Sequence, residues 1–445
     1  MGQNFLSCDR EQAMLLPASV ADWLPEQHLA RFVIEIVERL DLAAFYAVYR
    51  ADGSGRPAHD PAMMVALVLY NYAVGVRSSR AIERRCVEDV ACRFVAADRA
   101  PDHVTINRFR GRFQEPLSGL FAQVLALCAQ AGMVRVGVVA VDSTKLAADA
   151  SLGANRSYEG LQAEAQRIFG EAAAIDAAED ELYGERRGDE LPEELADSKT
   201  RRARIKQLLD ELERERERAV AEHDAKRAAY QDHVERTGRR PAGRPVGAVM
   251  PKDQQALFAR RVNLTDPDSA IVNDRGKPIQ GYNVQAAVAE GQVILSARAT
   301  GEASDGGQLI PTVTAARESL AAIGVTEPIE QVLADSGYWK IAHVTELQDA
   351  GIEVLVQPYP FKPGTTRKSR DPVAAGMRAR LHTADGAASY RRRQQIVEPV
   401  FAHIKYLRQI TRVLRRGRAA VQAEIDLIAT SHNLLKLYRA IPQTA

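Results

Sequence analysis

The sequence predicts a mixed α/β sheet with flanking helices, preceded by an all-helical region and interrupted by a helical hairpin. Three observations predict it. Apolar residues recur at helical spacing through residues 1–130. Short apolar runs rich in β-branched residues (VRVGVVAVD, QVILSARATG, IEQVLADSGYW and IEVLVQP) then alternate with helical patterns. Residues 157–240, lying inside that alternation, turn to Ala, Glu, Arg and Lys, the composition of exposed helices.

The N-terminal region carries its apolar positions in LARFVIEIVERL and PAMMVALVLYNYAVGV, the latter opened by Pro61, which suits the first turn of a helix. In PDHVTINRFRGRF, Asp102 is a good N-cap. Ile106, Phe109 and Phe113 share one face, while Arg108 and Arg112 lie together off it, with Asn107 and Arg110 also available. One packing face and one Arg/Asn face suit a DNA-contacting helix, or a bundle helix with solvated arginines.

The run 134–142 reads as a buried strand ending on Asp142. In the insert, Ile205, Leu208, Leu209 and Leu212 form a narrow apolar stripe on a long helix. LQAEAQRIFGEAAAIDAAEDELYG supplies its antiparallel partner, and RTGRRPAGRPVGAVMPKDQQ reads as a linker. GYNVQAAVAE and QVILSARATG, separated by Glu290 and Gly291, read as a hairpin; LIPTVTAARESLAAIG and YWKIAHVTELQDAG read as helices around the strand that ends near Asp335. FKPGTTRKSRDPVAAGMR reads as a basic loop before two last helices, the first holding Glu398.

Charge and composition narrow the function. The net charge of +1 hides fifteen Lys and Arg against three Asp and Glu in residues 361–420, a local balance of +12 that indicates a polyanionic partner. The four cysteines, Cys8, Cys86, Cys92 and Cys128, form no CxxC pair, so a reduced setting without structural zinc is expected. MGQNFLSCDREQ lacks the basic start and apolar run of a signal peptide, and no apolar run is long enough to span a membrane. A cytoplasmic protein is expected.

Two acids at strand ends, Asp142 and Asp335, and a third on a late helix, Glu398, meet if the first and fourth core strands are adjacent. Such a carboxylate cluster repels itself unless cations bind, and oxygen donors suit Mg²⁺, with Mn²⁺ as the alternative. Two such metals would serve phosphodiester chemistry. The cations around Glu398 would hold phosphates, and Lys145 could meet another.

These residues resemble the DDE transposases of bacterial insertion sequences, over nearly the whole chain. LLPASVADWLPEQHLARFV and HDPAMMVALVLYNYAVGVRSSRAIE are similar to the N-terminal transposase domain of that group; VDSTKLAADAS, GYNVQAAV, ADSGY, VEPVFAHIK and HNLLKL are similar to its catalytic motifs. The resemblance implies an RNase H-like core over 134–440, interrupted by the insert at 157–240 and preceded by a helical DNA-binding domain at 1–130. It implies Asp142, Asp335 and Glu398 as catalytic metal ligands. It implies binding of terminal inverted repeats, cleavage that frees 3′-hydroxyls, joining to target DNA, and a homo-oligomer that holds two ends in a nucleoid-associated complex. The family's Tyr, Arg, Glu and Lys pattern falls on Tyr390, Arg393, Glu398 and Lys405, with four residues between Arg393 and Glu398 where three are usual. That spacing leaves a neighbouring arginine as a candidate for the Arg393 role. A nuclease that cuts without joining and a decayed DNA-binding copy are the alternatives; a coiled-coil scaffold explains only the insert.

Overall fold

The computed structural model describes residues 19–49, 57–157, 159–161, 163, 198–238, 261–358 and 371–440. By its contacts the chain divides into two compact units, Met1–Ala147 with Tyr282–Ala445, and Ala148–Gly281.

The first unit opens with α1 (Leu29–Glu38), α2 (Ala43–Tyr46), α3 (Pro61–Ala73), α4 (Ser79–Glu88), α5 (Val90–Val95), α6 (His103–Arg112) and α7 (Gln114–Gln130). Helix α3 starts where the sequence dictates: Pro61 needs no N–H partner in the first turn, and the Asp60 carboxylate accepts from the Met63 N–H at 2.9 Å. From Met64 to Ala73 every residue is buried, so α3 is the centre of the helical layer rather than an amphipathic face.

Strands β1 (Val138–Ala147), β5 (Lys277–Ala289), β6 (Ile294–Thr300), β7 (Gln331–Ala334) and β8 (Glu353–Val356) build a mixed sheet. β1 lies between β5 and β7; β5 pairs antiparallel with β6, and β7 pairs parallel with both β1 and β8. β1 runs five residues past Asp142, so that acid is inside a strand and not at its end. The extension is held by a bridge from Ala147 to Arg412.

Between the strands come α9 (Leu309–Ala322) and α10 (Ile341–Asp349); after them come α11 (Pro372–His382), α12 (Ala384–Ile396), α13 (Glu398–Ala402) and α14 (Arg418–Ala440). Part of the expected basic loop is therefore helix: Asp371 caps the Val373 and Ala374 N–H groups, and Pro372 sits in the first turn. Helix α14 packs on α3, α7 and β6 together, which joins the N-terminal helices to the sheet. It does so with side-chain amides that act as a strand would. Asn433 accepts from the Ile294 N–H and donates to the Ile294 carbonyl, at 2.8 and 2.9 Å. Gln422 does the same for Ala299 N–H and Ala297 O, both at 2.8 Å.

In the second unit, α8 (Ser198–Thr237) is 40 residues long. Its Leu212 is buried with Leu161 and with Val262 of β3 (Val262–Asn263), which pairs antiparallel with β2 (Asn155–Arg156). β4 (Ala270–Asp274) turns back onto residues 277–281 through Arg275 and Gly276, both at positive φ (54° and 84°), as a two-residue hairpin requires. The side chains of Ile205 and Leu208, the expected partner helix at 161–184 apart from Leu161 and Ala163, and the linker at 239–255 lie outside the described residues. Among the described residues no helix is long and apolar enough to cross a membrane.

Candidate active site

The parallel register of β1 and β7 positions the first two acids. Val141 lies opposite Ala334, so Asp142 and Asp335 fall on the next rung. In-register neighbours point to the same face of a sheet. Asp335 also accepts from the Gly337 N–H at 2.8 Å and so caps the turn after β7.

The third acid is placed by a broken helix. Pro399 cannot donate to the Gln395 carbonyl one turn back, and its ring crowds that oxygen. The Gln395 carbonyl instead accepts from Gln292 Nε2 at 2.9 Å. The chain restarts as α13 at Glu398, whose side chain is 52% exposed. On a straight helix Arg393 and Glu398, five positions apart, would point about 140° apart. With the break between them, Arg393 reaches both acids: Nη1 donates to Asp142 Oδ2 at 2.8 Å, and Nη2 lies 3.5 Å from Glu398 Oε1.

Burial pushes the Asp142 carboxyl up to about 6, with the charges of Asp335 and Asp305 adding to it; the Ser143 N–H and Arg393 act in the opposite direction. Tyr390, one turn before Arg393, is raised by burial and by the charge of Asp335, while Arg393 lowers it.

Next to the acids lies a second polar cluster. Ser143 and Lys145, two apart on β1, share one face of the strand. Lys145 Nζ donates to Ser143 Oγ (2.8 Å), Asn283 Oδ1 (2.7 Å) and Asp305 Oδ1 (3.1 Å). Asn283 Nδ2 and Gln285 Nε2 each reach Asp305 Oδ1 at 2.8 Å, and the buried Tyr338 hydroxyl donates to Gln285. Burial would raise Asp305, but these donors and the Lys145 charge hold it below the usual carboxylate range.

Residues 18–112 match the family described as Transposase domain (DUF772), and residues 259–434 match the Transposase DDE domain. No curated protein and no solved structure is similar enough to add to these two matches. The chain belongs to the DDE transposases of insertion sequences. The family indicates DNA transposition, with DNA as partner. Asp335 and Glu398 fall inside the matched DDE span, and Asp142 lies before it.

For a DDE transposase, the other expected residues have different surroundings. Arg393 is brought to the acids; its neighbours turn elsewhere, Arg392 to an ion pair with Glu290 and Arg391 to the Ala387 carbonyl. Lys145 meets Asp305, where a phosphate contact was expected. Lys405 lies in the π-helical turn His403–Leu407 that follows α13. On α6, Asn107 and Arg108 are exposed, as is Arg112, which donates to the Val48 carbonyl and lies over the Tyr49 ring. Arg110 is not available: it is 6% exposed and donates to Tyr72, Ser79 and the Arg77 carbonyl. The helix turns by about 100° per residue, so Arg110 faces the bundle next to Phe109.

Sequence reasoning missed Asp305, Asn283, Gln285 and Tyr338. A signal was there: in GYNVQAAV two amides stand two apart in an otherwise apolar strand, which puts both on one buried face. Among the described residues no three His, Cys, Asp or Glu are grouped closely enough to hold a metal ion. The Arg393 guanidinium lies between Asp142 and Glu398 in the arrangement seen here.

Proposed function

We propose that the chain is a metal-dependent DNA transposase whose catalytic acids are Asp142, Asp335 and Glu398. The observation that carries this reading is the site itself: one rung across β1 and β7 presents two acids, and Arg393 ties the first to Glu398. The donor set fits a hard divalent cation. It offers carboxylate oxygens alone, and Asp142 is desolvated beside two further acids whose repulsion a cation would relieve. Mg²⁺, or Mn²⁺ in its place, would be held by Asp142, Asp335 and Glu398 and would supply Lewis-acid stabilisation of phosphodiester cleavage and joining.

The chain's own residues do the rest. The Lys145–Asp305 layer fixes β1 and hence Asp142. Arg393 and Tyr390 orient the acids, and Lys405 holds backbone phosphate. Exposed Asn107, Arg108 and Arg112 on α6 meet DNA from the N-terminal domain at 1–130. The core over 134–440 is RNase H-like, supported by an antiparallel hairpin on one side of β1 and two parallel strands on the other. Two copies at least hold the two inverted repeats.

The test uses the DNA flanking the gene, purified protein and Mg²⁺, with 3′-end cleavage and joined products followed for wild type and Glu398→Gln. Cleavage and joining by wild type alone is the expected result. Cleavage without joining would make the protein a nuclease. Binding without cleavage would make it a decayed copy.

A further inference from the structure

A cavity of about 510 Å³ that none of the three acids lines is formed by residues 131–133, Arg135, the β5–β6 turn at Glu290 and Gly291, and the end of α14. Three cations line it: Arg135, Lys436 and Arg439. Its acid, Glu290, is already ion-paired with Arg392. Lys436 and Arg439 also suit the negative end of the α14 dipole, but Arg135 lies on no helix, so the dipole does not account for the cluster.

Small residues keep the cavity open. A Cβ on Gly291 would lie 2.9 Å from the Met133 carbonyl, so only glycine lets these two walls approach. The local field is positive beyond the lining. Burial and the charges of Arg408, Arg439 and Lys436 push the neighbouring His403 down to about 4.

The cavity is fastened to the catalytic helix. Glu290 pairs with Arg392, and Gln292, which accepts from Lys436 Nζ at 3.2 Å, donates to the Gln395 carbonyl. Both anchors flank Arg393, which reaches Asp142. A chain of phosphates held in the cavity therefore abuts the helix that carries the acid-site arginine.

We propose that this cavity is a subsite for DNA backbone phosphate, with Arg135, Lys436 and Arg439 as its cations, placed to hold the strand that enters the acid site. It rests on the transposase reading above and adds a specific contact to it.

The experiment measures binding of the duplex that flanks the gene, by fluorescence anisotropy over a salt series, without divalent metal. Wild type, Arg135→Gln, the double variant R135Q/R439Q and Arg84→Gln are compared, Arg84 being an exposed residue of α4. Each lost phosphate contact lowers the slope of log K against log salt by about 1, so R135Q should lose about 1 and the double variant about 2, with Arg84→Gln unchanged. Arg135 is exposed, so R135Q alone retains the test if the double variant unfolds. Unchanged slopes overturn the subsite. In a second arm, inorganic phosphate is added in thermal melts. Phosphate that stabilises wild type but not the double variant, while the DNA slopes stay equal, would make this a free-anion pocket and overturn the proposal. Wild type without salt-dependent binding would overturn the transposase reading, and the subsite with it.

Discussion

Two clusters of buried charge lie in the same unit and are built on opposite principles. Where the N-terminal helices meet α14, three buried arginines gather: Arg77 pairs with Glu424, while Arg110 and Arg408 are satisfied by neutral oxygens. Arg110 donates to Tyr72, Ser79 and the Arg77 carbonyl, and Arg408 donates to Ser431 and the carbonyls of Tyr72 and Ile428. Glu424 also accepts from the N–H groups of Leu414 and Arg415. At the acid site the balance reverses: against Asp142, Asp305, Asp335 and Glu398, the ion pairs among the described residues supply two cations, Lys145 and Arg393. Surplus positive charge is quenched internally by carbonyls and hydroxyls. Around the acids, the Ser143 and Gly337 N–H groups and the amides of Asn283 and Gln285 meet part of the negative charge, and in the function proposed above a cation from outside meets the rest. A buried arginine is structural where its fork is filled by carbonyls and poised for chemistry where it faces acids.

The comparison can be broken at several points. The largest expected effect is at the acid site, where Asp142→Asn should remove cleavage of flanking DNA while the melting temperature stays near wild type. If cleavage survives, the negative surplus has no catalytic role. Next is the other cluster. Glu424→Gln leaves Arg77 charged and buried without its partner and should destabilise by about 3–5 kcal/mol, read as a lower urea midpoint. A shift under about 1 kcal/mol would show that carbonyls alone can hold these arginines.

A pH scan sharpens the contrast further. His432 donates Nε2–H to the Gln292 carbonyl at 3.0 Å, and its burial pushes it down to about 3 from an ordinary 6.5. The unfolded chain therefore takes up this proton first as pH falls. The stability is fully present above 6.5, and about 2 kcal/mol of it is lost by pH 5. His432→Gln should flatten the melting-temperature profile between pH 7 and pH 5; an unchanged slope would place the sensitivity elsewhere. The smallest stability effect is on α6. Arg108→Gln should change stability by no more than about 0.5 kcal/mol yet weaken DNA binding, whereas Arg110→Gln should lower the melting temperature. Equal effects of the two would erase the distinction between the faces of that helix.

Periodicity alone made the helical N-terminus, the strand runs and the order of the three acids readable, because spacing of three or four, or of two, depends only on backbone geometry. The cap at Asp102 and the first-turn Pro61 were readable for the same local reason. Tertiary structure decided the rest. Whether Arg391, Arg392 or Arg393 meets the acids depends on helix phase after a proline break. Whether Arg110 faces solvent depends on what packs against α6. Whether Lys145 meets a phosphate or Asp305 depends on a residue 160 positions away. A sequence fixes which side chains can carry charge and how they repeat locally; which charges find each other is set by strand register and helix packing, and those are properties of the whole fold.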